Sequence, residues 1–339
     1  MRILVTGGCG YLGTHTIVDL LAANHEVVAV DNLSNSSPEA LKRVEKISSK
    51  RVPLYTIDCA DKVAMAKVFK NHDFDAVIHF AGLKAVGESV KQPVRYYMNN
   101  LNSTLVLCET MQEAGVKRLI FSSSATVYGV PQEHPLREDS PVGPITNPYG
   151  RTKVMIEEIL KDVVTADPEW RITLLRYFNP IGAHESGLIG EDPTGVPNNV
   201  FPYIAQVASG KQPKLPVYGN DYPTLDGTGV RDYIHVSDLA KGHLAALEHT
   251  PSQPVVIYNL GTGYGTSVFE LIKTFEKISG QKINYEVLPR RSGDVATCFA
   301  DAVKANEELG WNAVRSIEDA CIDAWRWQSR NPRGYTEET

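Results

Sequence analysis

The first 180 residues alternate between short apolar runs and segments with helical periodicity. The apolar runs are rich in β-branched residues and nearly continuous, as in strands that helices cover on both faces. One of the helical segments between them spans Leu12–Ala23 and is apolar along one side. This alternation predicts an α/β fold built on a doubly wound parallel sheet. The predicted strands are Arg2–Thr6, Glu26–Asp31, Val52–Asp58, Ala76–Ala81, Lys117–Ser123 and Arg171–Asn179.

The pattern changes after Asn179. Residues 180–232 are dense in Pro and Gly, and long loops inside a compact protein are usually functional. Helical segments follow at Val236–Leu247 and Val268–Ser279, with a strand at Val255–Asn259 between them. We therefore expect two domains, residues 1–180 and a smaller α/β substrate domain of residues 181–339. The smaller domain is expected to lie over the carboxyl edge of the sheet, with some segments packed back on the first domain.

Composition excludes several classes of protein. Hydrophobic residues make up 42% of the 339 residues and charged residues 22%, which is typical of globular chains and not of disordered ones. The net charge of −6 argues against a nucleic-acid binder, which needs a basic face. No apolar run approaches the ~18 residues of a membrane span, and the start has no signal-peptide layout. The five cysteines show no metal-binding spacing, which favours reduced thiols in a cytoplasmic enzyme without a metal site.

A glycine-rich turn, Gly7–Gly13 (GGCGYLG), follows the first predicted strand and opens a helix. Its glycines let backbone N–H groups approach a pyrophosphate at a helix N-terminus. The next strand ends in Asp31, whose carboxylate suits the hydroxyls of an adenosine ribose and repels a 2′-phosphate. No Arg follows Asp31. The β–α–β context disfavours a turn kept only for packing, so the sequence predicts a Rossmann domain that binds NAD rather than NADP.

A second set of residues joins Ser124, at the end of the fifth strand, with Tyr149 and Lys153. Asn147 suits an N-cap and Pro148 a first helical turn, so Tyr149 and Lys153 lie one turn apart on one helix face. A tyrosine titrates near 10, so its use as a base near pH 7 requires stabilising the phenolate by about 3 units. A nearby cation, the helix N-terminus and a nicotinamide ring can supply that. The pair alone often means a solvated surface pair, but beside an NAD loop it predicts an alcohol-oxidising site.

The chain resembles the extended short-chain dehydrogenase/reductases, and among them the epimerases that act on UDP-sugars. The shared runs are spread over essentially the whole chain. They are VIHFAGLKAVGES at Val77–Ser89, FSSSATVYG at Phe121–Gly129, LLRYFNP at Leu174–Pro180, GNDYP at Gly219–Pro223, GTGVRDYIHV at Gly227–Val236 and YNLG at Tyr258–Gly261. The resemblance implies bound NAD, a UDP-sugar substrate, 4-epimerisation and a homodimer formed through helices of the first domain.

The resemblance also implies site residues. Ser124, Tyr149 and Lys153 would be catalytic. The cofactor contacts would be Gly7, Gly10, Tyr11, Leu12, Gly13, Asp31, Asn32, Asn35, Ser36, Asp58, Cys59, Phe80, Ala81, Lys84, Asn99, Ser122, Tyr149, Lys153, Tyr177 and Phe178. The substrate contacts would be Ser124, Asn179, Asn199, Tyr218, Arg231, Arg291, Asp294 and Cys298. Cys59 stands where the family often has an aliphatic residue, and Tyr218 where phenylalanine is common.

Two other functions compete with epimerisation. Related dehydratases also oxidise C4 but read Thr-Asp-Glu where this chain has Ser124, Ala125 and Thr126, so the carboxyl group for eliminating water is missing. A non-catalytic NAD-binding scaffold has no need to keep Ser124, Tyr149 and Lys153 together.

Cys298 bears on the choice of sugar. In the family, a side chain a few residues after Asp294 walls the sugar pocket. It is a tyrosine in forms restricted to glucose and galactose, and a small residue in forms that also accept N-acetylated sugars. Cys298 therefore predicts that UDP-N-acetylglucosamine and UDP-N-acetylgalactosamine are substrates too, because a 2-acetamido group needs the space. The alternative is that Cys298 is merely small and that Tyr218 or Phe299 closes the pocket.

Overall fold

The structure is a computed structural model, and it describes residues 1–131, 133–251, 253–291 and 293–336. The strands in these ranges are β1 (Arg2–Thr6), β2 (Glu26–Asp31), β3 (Leu54–Thr56), β4 (Ala76–His79), β5 (Arg118–Ser124), β6 (Arg171–Tyr177), β7 (Asn179–Ile181), β8 (Leu215–Tyr218), β9 (Val230–Arg231), β10 (Tyr233–His235), β11 (Val255–Leu260), β12 (Thr266–Ser267), β13 (Tyr285–Leu288) and β14 (Thr297–Cys298). The helices are α1 (Tyr11–Ala22), α2 (Pro38–Ser48), α3 (Lys62–Asn71), α4 (Val86–Lys91), α5 (Pro93–Glu113), α6 (Pro148–Ala166), α7 (Val200–Ala208), α8 (Val236–Glu248), α9 (Val268–Ser279), α10 (Val303–Leu309) and α11 (Ile317–Arg330), with a 3-10 helix at Ala125–Tyr128.

A seven-stranded sheet, wholly parallel, forms the centre of the molecule in the order β3-β2-β1-β4-β5-β6-β11. Consecutive residues of β1 enter different cores: Ile3 and Val5 pack on one face and Leu4 on the other. Helices on both faces explain why these strands read as continuous apolar runs. The predicted doubly wound α/β fold is confirmed.

Two predicted elements end or pair differently. The predicted strand Arg171–Asn179 is split, because β6 ends at Tyr177 and β7 pairs with β10 instead. The strand predicted at Val255–Asn259 is β11, which pairs with β6 at the edge of the central sheet, so it is a segment of the second half that packs back on the first. Its almost unbroken apolar run has the same character as the first strands, because it too lies between covering helices.

The smaller sheets begin directly beyond the carboxyl end of β6. The Asn179 amide donates to the Asp232 carbonyl at 3.0 Å, and the Asp232 amide donates to the Cys298 carbonyl at 3.0 Å. Together with α7, α9 and α11, these strands enclose a third apolar cluster that includes Phe201, Leu271 and Phe275. Asn179, Arg231 and Cys298, three of the predicted substrate residues, therefore lie beyond the edge of the sheet where β5 and β6 end.

Two further expectations concern the core and the surface. His79 is a core residue, with its ring nitrogens 2.7 Å from Thr6 Oγ1 and 3.1 Å from Thr104 Oγ1. Its burial lowers the pKa to about 3. Of the helices in the described ranges, none is long and apolar enough to cross a bilayer, not even α5 with its 21 residues. All five cysteines are unpaired.

Candidate active site

The glycine turn between β1 and α1 packs so closely that side chains do not fit. Gly7 has a positive φ of 70°, and a Cβ atom on Gly13 would lie 2.2 Å from the Gly7 carbonyl oxygen. Gly10 is the N-cap of α1 and provides no side-chain hydrogen bond to the first turn. The positive end of α1 is thus left for an anion from outside the chain, which fits a pyrophosphate.

The Asp31 carboxylate, at the end of β2, lies against the glycine turn. It accepts hydrogen bonds from the Cys9 amide at 3.0 Å, the Leu33 amide at 2.9 Å and Ser36 Oγ at 2.7 Å. A carboxylate has about four acceptor positions, so one remains for a ribose hydroxyl. The residues present therefore fit the adenosine half of NAD, and the fixed negative charge opposes a 2′-phosphate.

A cleft of about 730 Å³ runs along this turn and the carboxyl ends of β1, β2 and β4. Predicted cofactor residues that line it are Gly7, Gly10, Tyr11, Leu12, Gly13, Asp31, Asn32, Asn35, Ser36, Asp58, Cys59, Phe80, Ala81, Lys84 and Asn99. Asn199, predicted to bind substrate, lines it as well. The cleft is therefore shaped by residues that are scattered in sequence and gathered by the parallel sheet.

The opposite wall of the cleft was not predicted from the sequence. It consists of residues 190–194 together with Tyr335 and Thr336 near the end of the chain. Lys84 Nζ lies 3.1 Å from Glu191 Oε1, and the Tyr335 hydroxyl donates to the Gly190 carbonyl at 3.0 Å. The Gly/Pro density of residues 180–232 signalled a functional loop, but no pattern in the sequence indicated Tyr335.

The predicted start of α6 is confirmed. Asn147 is its N-cap and accepts a hydrogen bond from the Gly150 amide at 2.8 Å, and Pro148 occupies the first turn. Tyr149 and Lys153 both lie on the buried face of this helix. Ser124, the last residue of β5, is in register with Tyr177 of β6. The structure thus brings all three predicted catalytic residues to the carboxyl ends of β5 and β6.

Burial dominates the acid–base properties of Tyr149. It raises the pKa of the phenol to about 12, and a hydrogen bond with Ser124 acts in the opposite direction. The Ser124 hydroxyl is itself held, because its Oγ accepts from the Thr126 amide at 3.2 Å and from Thr126 Oγ1 at 3.0 Å. The lowered tyrosine pKa expected from the sequence is therefore not a property of this chain by itself.

Lys153 is oriented by the strands rather than by Tyr149. Its Nζ donates to the Ser122 carbonyl at 2.6 Å and lies 4.7 Å from the centre of the Phe121 ring. The same nitrogen is 5.9 Å from the centre of the Tyr149 ring. Burial lowers the pKa of Lys153 to about 8, opposed by the negative charge of Glu157. The ammonium group is close enough to favour a phenolate without bonding to it directly.

Tyr177 and Phe178, predicted to lie near the nicotinamide, end β6 beside these residues. The Tyr177 hydroxyl is hydrogen-bonded to Ser122 Oγ, and burial raises the pKa of Tyr177 well above its usual value. Phe178 is buried in a small apolar cluster with Val127 and, at its margin, Cys298. Ser122, Tyr177 and Phe178 are therefore buried where β5 and β6 end, beside the catalytic residues.

The predicted substrate residues of the second half lie on neighbouring strands and one loop. Arg231 of β9 is in register with Cys298 of β14. The Arg291 guanidinium lies 3.8 Å from the centre of the Tyr218 ring, a cation–π contact. The Asp294 amide donates to the Arg291 carbonyl at 3.2 Å.

Gly293, which lies between Arg291 and Asp294 in the chain, reaches the start of α6. A Cβ atom on Gly293 would lie 2.9 Å from the Thr146 Cβ. Thr146 directly precedes the N-cap of the helix that carries Tyr149. The predicted substrate residues and the catalytic helix are therefore adjacent. Arg290 differs from Arg291, since it forms an exposed ion pair with Asp221 at 2.7 Å.

Cys298 lies beside Arg231 on the neighbouring strand and at the margin of the apolar cluster that contains Phe178. Burial raises the pKa of its thiol to about 11, and the side chain packs at the edge of the cluster of Val127, Leu136 and Phe178. Phe299, the alternative gate, stacks its ring on His134, with 5.4 Å between the ring centres. The described part of the chain contains no group of three His, Cys, Asp or Glu residues that could hold a metal ion.

Comparison with known proteins relates the whole chain to one group. A sequence model of the NAD dependent epimerase/dehydratase family matches residues 3–261. UDP-glucose 4-epimerase of Bacillus subtilis is 60% identical over 336 residues, which cover 99% of both chains. A crystal structure of UDP-glucose 4-epimerase from Bifidobacterium longum with NAD+ and UDP is 56% identical and superposes with a TM-score of 0.97, covering 98% of this chain and 100% of that one.

A more distant neighbour is named for a second sugar. The structure of the UDP-Glc/GlcNAc 4-epimerase from Campylobacter jejuni is 38% identical, with a TM-score of 0.84 over 97% of this chain and 99% of that one. The chain therefore belongs to the NAD dependent epimerase/dehydratase family, within its group of UDP-glucose 4-epimerases, and it is an NAD-dependent isomerase.

Proposed function

We propose that this enzyme interconverts UDP-glucose with UDP-galactose, and UDP-N-acetylglucosamine with UDP-N-acetylgalactosamine, through a transient 4-keto sugar and tightly bound NAD. The observation that carries the proposal is the convergence of Ser124, Tyr149 and Lys153 at the carboxyl ends of β5 and β6. That convergence lies next to a cleft whose glycine turn and Asp31 fit a dinucleotide.

The residues of this chain supply proton transfer and positioning. Bound NAD supplies a reversible hydride acceptor, which the side chains here cannot provide. Tyr149 takes the proton of the sugar C4 hydroxyl, and Ser124 holds the same oxygen by a hydrogen bond. Lys153 provides the positive charge that favours the phenolate, against a burial that raises the pKa of Tyr149 to about 12.

The substrate is held by its UDP portion while the sugar turns. Arg231 and Arg291 carry guanidinium groups, which suit phosphate oxygens. If the diphosphate stays bound while the 4-keto sugar turns over, the hydrogen can return to the opposite face of C4. The net redox change is zero, so NAD acts as a retained cofactor and not as a consumed substrate.

The dehydratase alternative is disfavoured by the two residues after Ser124. Ala125 and Thr126 contribute no carboxyl group, and the Thr126 hydroxyl is already engaged by Ser124. Elimination of water needs an acid and a base at this position. The scaffold alternative leaves the buried placement of Tyr149 and Lys153 without a purpose, because burying a lysine is costly.

Acceptance of N-acetylated sugars rests on Cys298. Its neighbours Phe178 and Leu136 are apolar and its side chain is small, which suits contact with an acetyl methyl group. Tyr218 contacts Arg291 and Phe299 stacks on His134, so each of the two alternative rings has a partner of its own.

We further propose that the enzyme is a cytoplasmic homodimer. Apolar side chains are exposed along α4, α5 and α6, where Val90 is 60% exposed, Val94 68% and Met98 62%. Val94, Met98 and Leu105 share one face of α5, and contiguous exposed apolar surface marks an interaction site. The two-domain division at residue 180 remains part of the proposal, with β11 and α8 of the second half packed on the first.

One experiment tests the function as a whole. The purified protein is supplied with UDP-glucose or with UDP-N-acetylglucosamine, without added NAD, and the products are separated by chromatography. We expect the galacto epimer in both reactions. Absence of UDP-galactose would refute the epimerase, absence of only the N-acetylated product would refute the role of Cys298, and a strict need for stoichiometric NAD would refute the retained cofactor.

A further inference from the structure

A buried ion pair lies directly beyond the catalytic lysine. Glu157 follows Lys153 by one turn of α6, and Arg176 precedes Tyr177 in β6. Arg176 Nη2 lies 2.6 Å from Glu157 Oε2 and Nε lies 3.0 Å from Oε1, with both side chains 2% exposed. Ser123 Oγ of β5 donates to the same carboxylate at 2.5 Å. One carboxylate thus joins α6 and β5, which carry the catalytic residues, to β6, which ends in Tyr177.

Stability alone does not account for this pair. Removing a carboxylate and a guanidinium from water costs about as much as their attraction returns, and apolar residues of similar volume often hold a fold equally well. Arg176 is also fixed from its other side, since it stacks 4.9 Å from the centre of the Tyr128 ring and donates to the Glu138 carbonyl at 3.2 Å. The carboxylate of Glu157 is therefore held in one place next to Lys153.

Of the titratable groups around Lys153, Glu157 is the one that offers it a negative charge. On α6 itself Tyr149 is held protonated by burial, and so is Tyr177 on β6. On β4, His79 is neutral, because its burial lowers the pKa to about 3. On β6, Arg176 is a cation.

The carboxylates of the helices packed on α6 have partners of their own. Glu88 of α4 is paired with Arg95 at 2.6 Å. Glu109 and Glu113 of α5 are paired with Lys62 at 2.6 and 3.0 Å. Among the described residues, Glu157 is accordingly the anion that acts on the Lys153 ammonium.

We propose that Glu157 is a positioning residue for the epimerisation, whose carboxylate keeps Lys153 in its charged form and is itself fixed by Arg176 and Ser123. The role rests on the proposed function for its meaning in turnover, but the charge of Lys153 is measurable without turnover. Burial lowers the pKa of Lys153, and Glu157 opposes this effect, so that the pKa comes to about 8 with both acting. A lysine that lost its proton near neutral pH would no longer favour the Tyr149 phenolate.

The test measures the pKa of Lys153 directly. The enzyme is labelled with ¹³Cε-lysine and titrated by NMR, with the signal of Lys153 assigned from Lys153→Met. We expect Glu157→Gln to lower the pKa of Lys153 by about one unit, because the amide keeps the shape but not the charge. Arg176→Gln removes a like charge, so it should leave the pKa unchanged or raise it. Glu157→Asp, which keeps the charge, should stay within a few tenths of the native value.

The proposal also predicts that Glu157→Gln and Arg176→Gln differ in the pH profile of kcat. In Glu157→Gln the loss of activity at high pH should begin about one unit lower, and in Arg176→Gln it should not move down. A purely structural role predicts that both variants act alike, since both break the same ion pair. Equal downward shifts in both variants, or an unchanged Lys153 in Glu157→Gln, would overturn the proposal.

A double variant controls for damage to the fold that a single change could cause by leaving one partner of the buried pair alone. Glu157→Gln/Arg176→Gln removes both members of the ion pair, so neither a lone carboxylate nor a lone guanidinium is left behind, and its Lys153 should still titrate below the native value because the anion is absent. An unchanged value there would also overturn the proposal. A native chain that titrates as described but does not epimerise UDP-glucose would refute the proposed function while leaving the effect of Glu157 on Lys153 in place.

Discussion

At the scale of single residues, the chemistry depends on a tyrosine that the fold makes a weaker acid than usual. The chain buries Tyr149 and thereby raises its pKa to about 12. Turnover near neutral pH then requires cationic support from Lys153 and from the N-terminus of α6. The sequence could predict which residues meet. It could not predict whether the pKa of Tyr149 is raised or lowered, because burial depends on the packing of the whole core.

Tyr149→Phe tests the proton transfer. Removing the hydroxyl leaves the ring in its apolar surroundings but deletes the base, so kcat should fall by on the order of 10²-fold or more. Tyr264→Phe is a matched control, since Tyr264 is 78% exposed and should keep full activity. The proton-transfer role would be untenable if Tyr149→Phe turned over UDP-galactose like the native enzyme at pH 7.

Cys298→Tyr tests the sugar gate. A phenol ring at this position fills the space that a 2-acetamido group needs, and overpacking a site costs about 1–3 kcal/mol. Turnover of UDP-N-acetylglucosamine should fall roughly ten- to hundredfold, while UDP-glucose turnover is spared. Cys298→Ala keeps the side chain small and should retain both activities. A similar loss for both sugars in Cys298→Tyr would mean that Cys298 does not select the sugar.

At the scale of elements, the parallel strands and the α6 start were predictable, and the closing wall of the cleft was not. Apolar runs and the Asn147–Pro148 signal are local, so they can be found in one sequence. The sequence did not indicate the pairing of β11 with β6, because this pairing joins segments far apart in the chain. Tyr335 faces the cleft only because the chain end folds back onto residues 190–192.

The exposed face of α5 predicts the oligomeric state. Met98→Glu places a charge in the centre of the apolar patch formed with Val94 and Leu105, so it should convert a dimer to a monomer. Val303→Glu is the control, because Val303 is comparably exposed, at 57%, on α10. Light scattering after gel filtration gives the mass. A monomeric native protein, or a Met98→Glu variant of unchanged dimeric mass, would contradict the proposed interface.

At the scale of the whole molecule, distant segments enclose the dinucleotide cleft. Arg43 of α2 donates to the Leu188 carbonyl at 3.2 Å and to Asn331 Oδ1 at 2.6 Å. Its guanidinium also lies 5.7 Å from the Trp327 ring and 5.2 Å from the Tyr335 ring. These contacts hold the loop and the chain end that form the far wall of the cleft. Such an enclosure favours tight retention of the cofactor.

Arg43→Ala should therefore release bound NAD faster while leaving Tyr149 and Lys153 in place. Hydrogen bonds to a charged group are worth about 1.5–3 kcal/mol each, so loss of NAD during gel filtration should be about tenfold faster. Arg137→Ala is the control, because Arg137 lies at the surface and pairs with Asp139. Equal retention in Arg43→Ala and the native enzyme would show that the far wall does not hold the cofactor.

The central claim is that the hydrogen at C4 leaves the sugar and returns to the same carbon inside one closed site. The enzyme is given UDP-galactose deuterated at C4, in ordinary water and without added NAD, and the UDP-glucose formed is examined by mass spectrometry and NMR. We expect the deuterium to remain at C4 of the product. Replacement of that deuterium by hydrogen from water would contradict the claim, because it would mean that C4 is inverted by proton exchange and not by the oxidation and reduction for which Ser124, Tyr149 and Lys153 are placed.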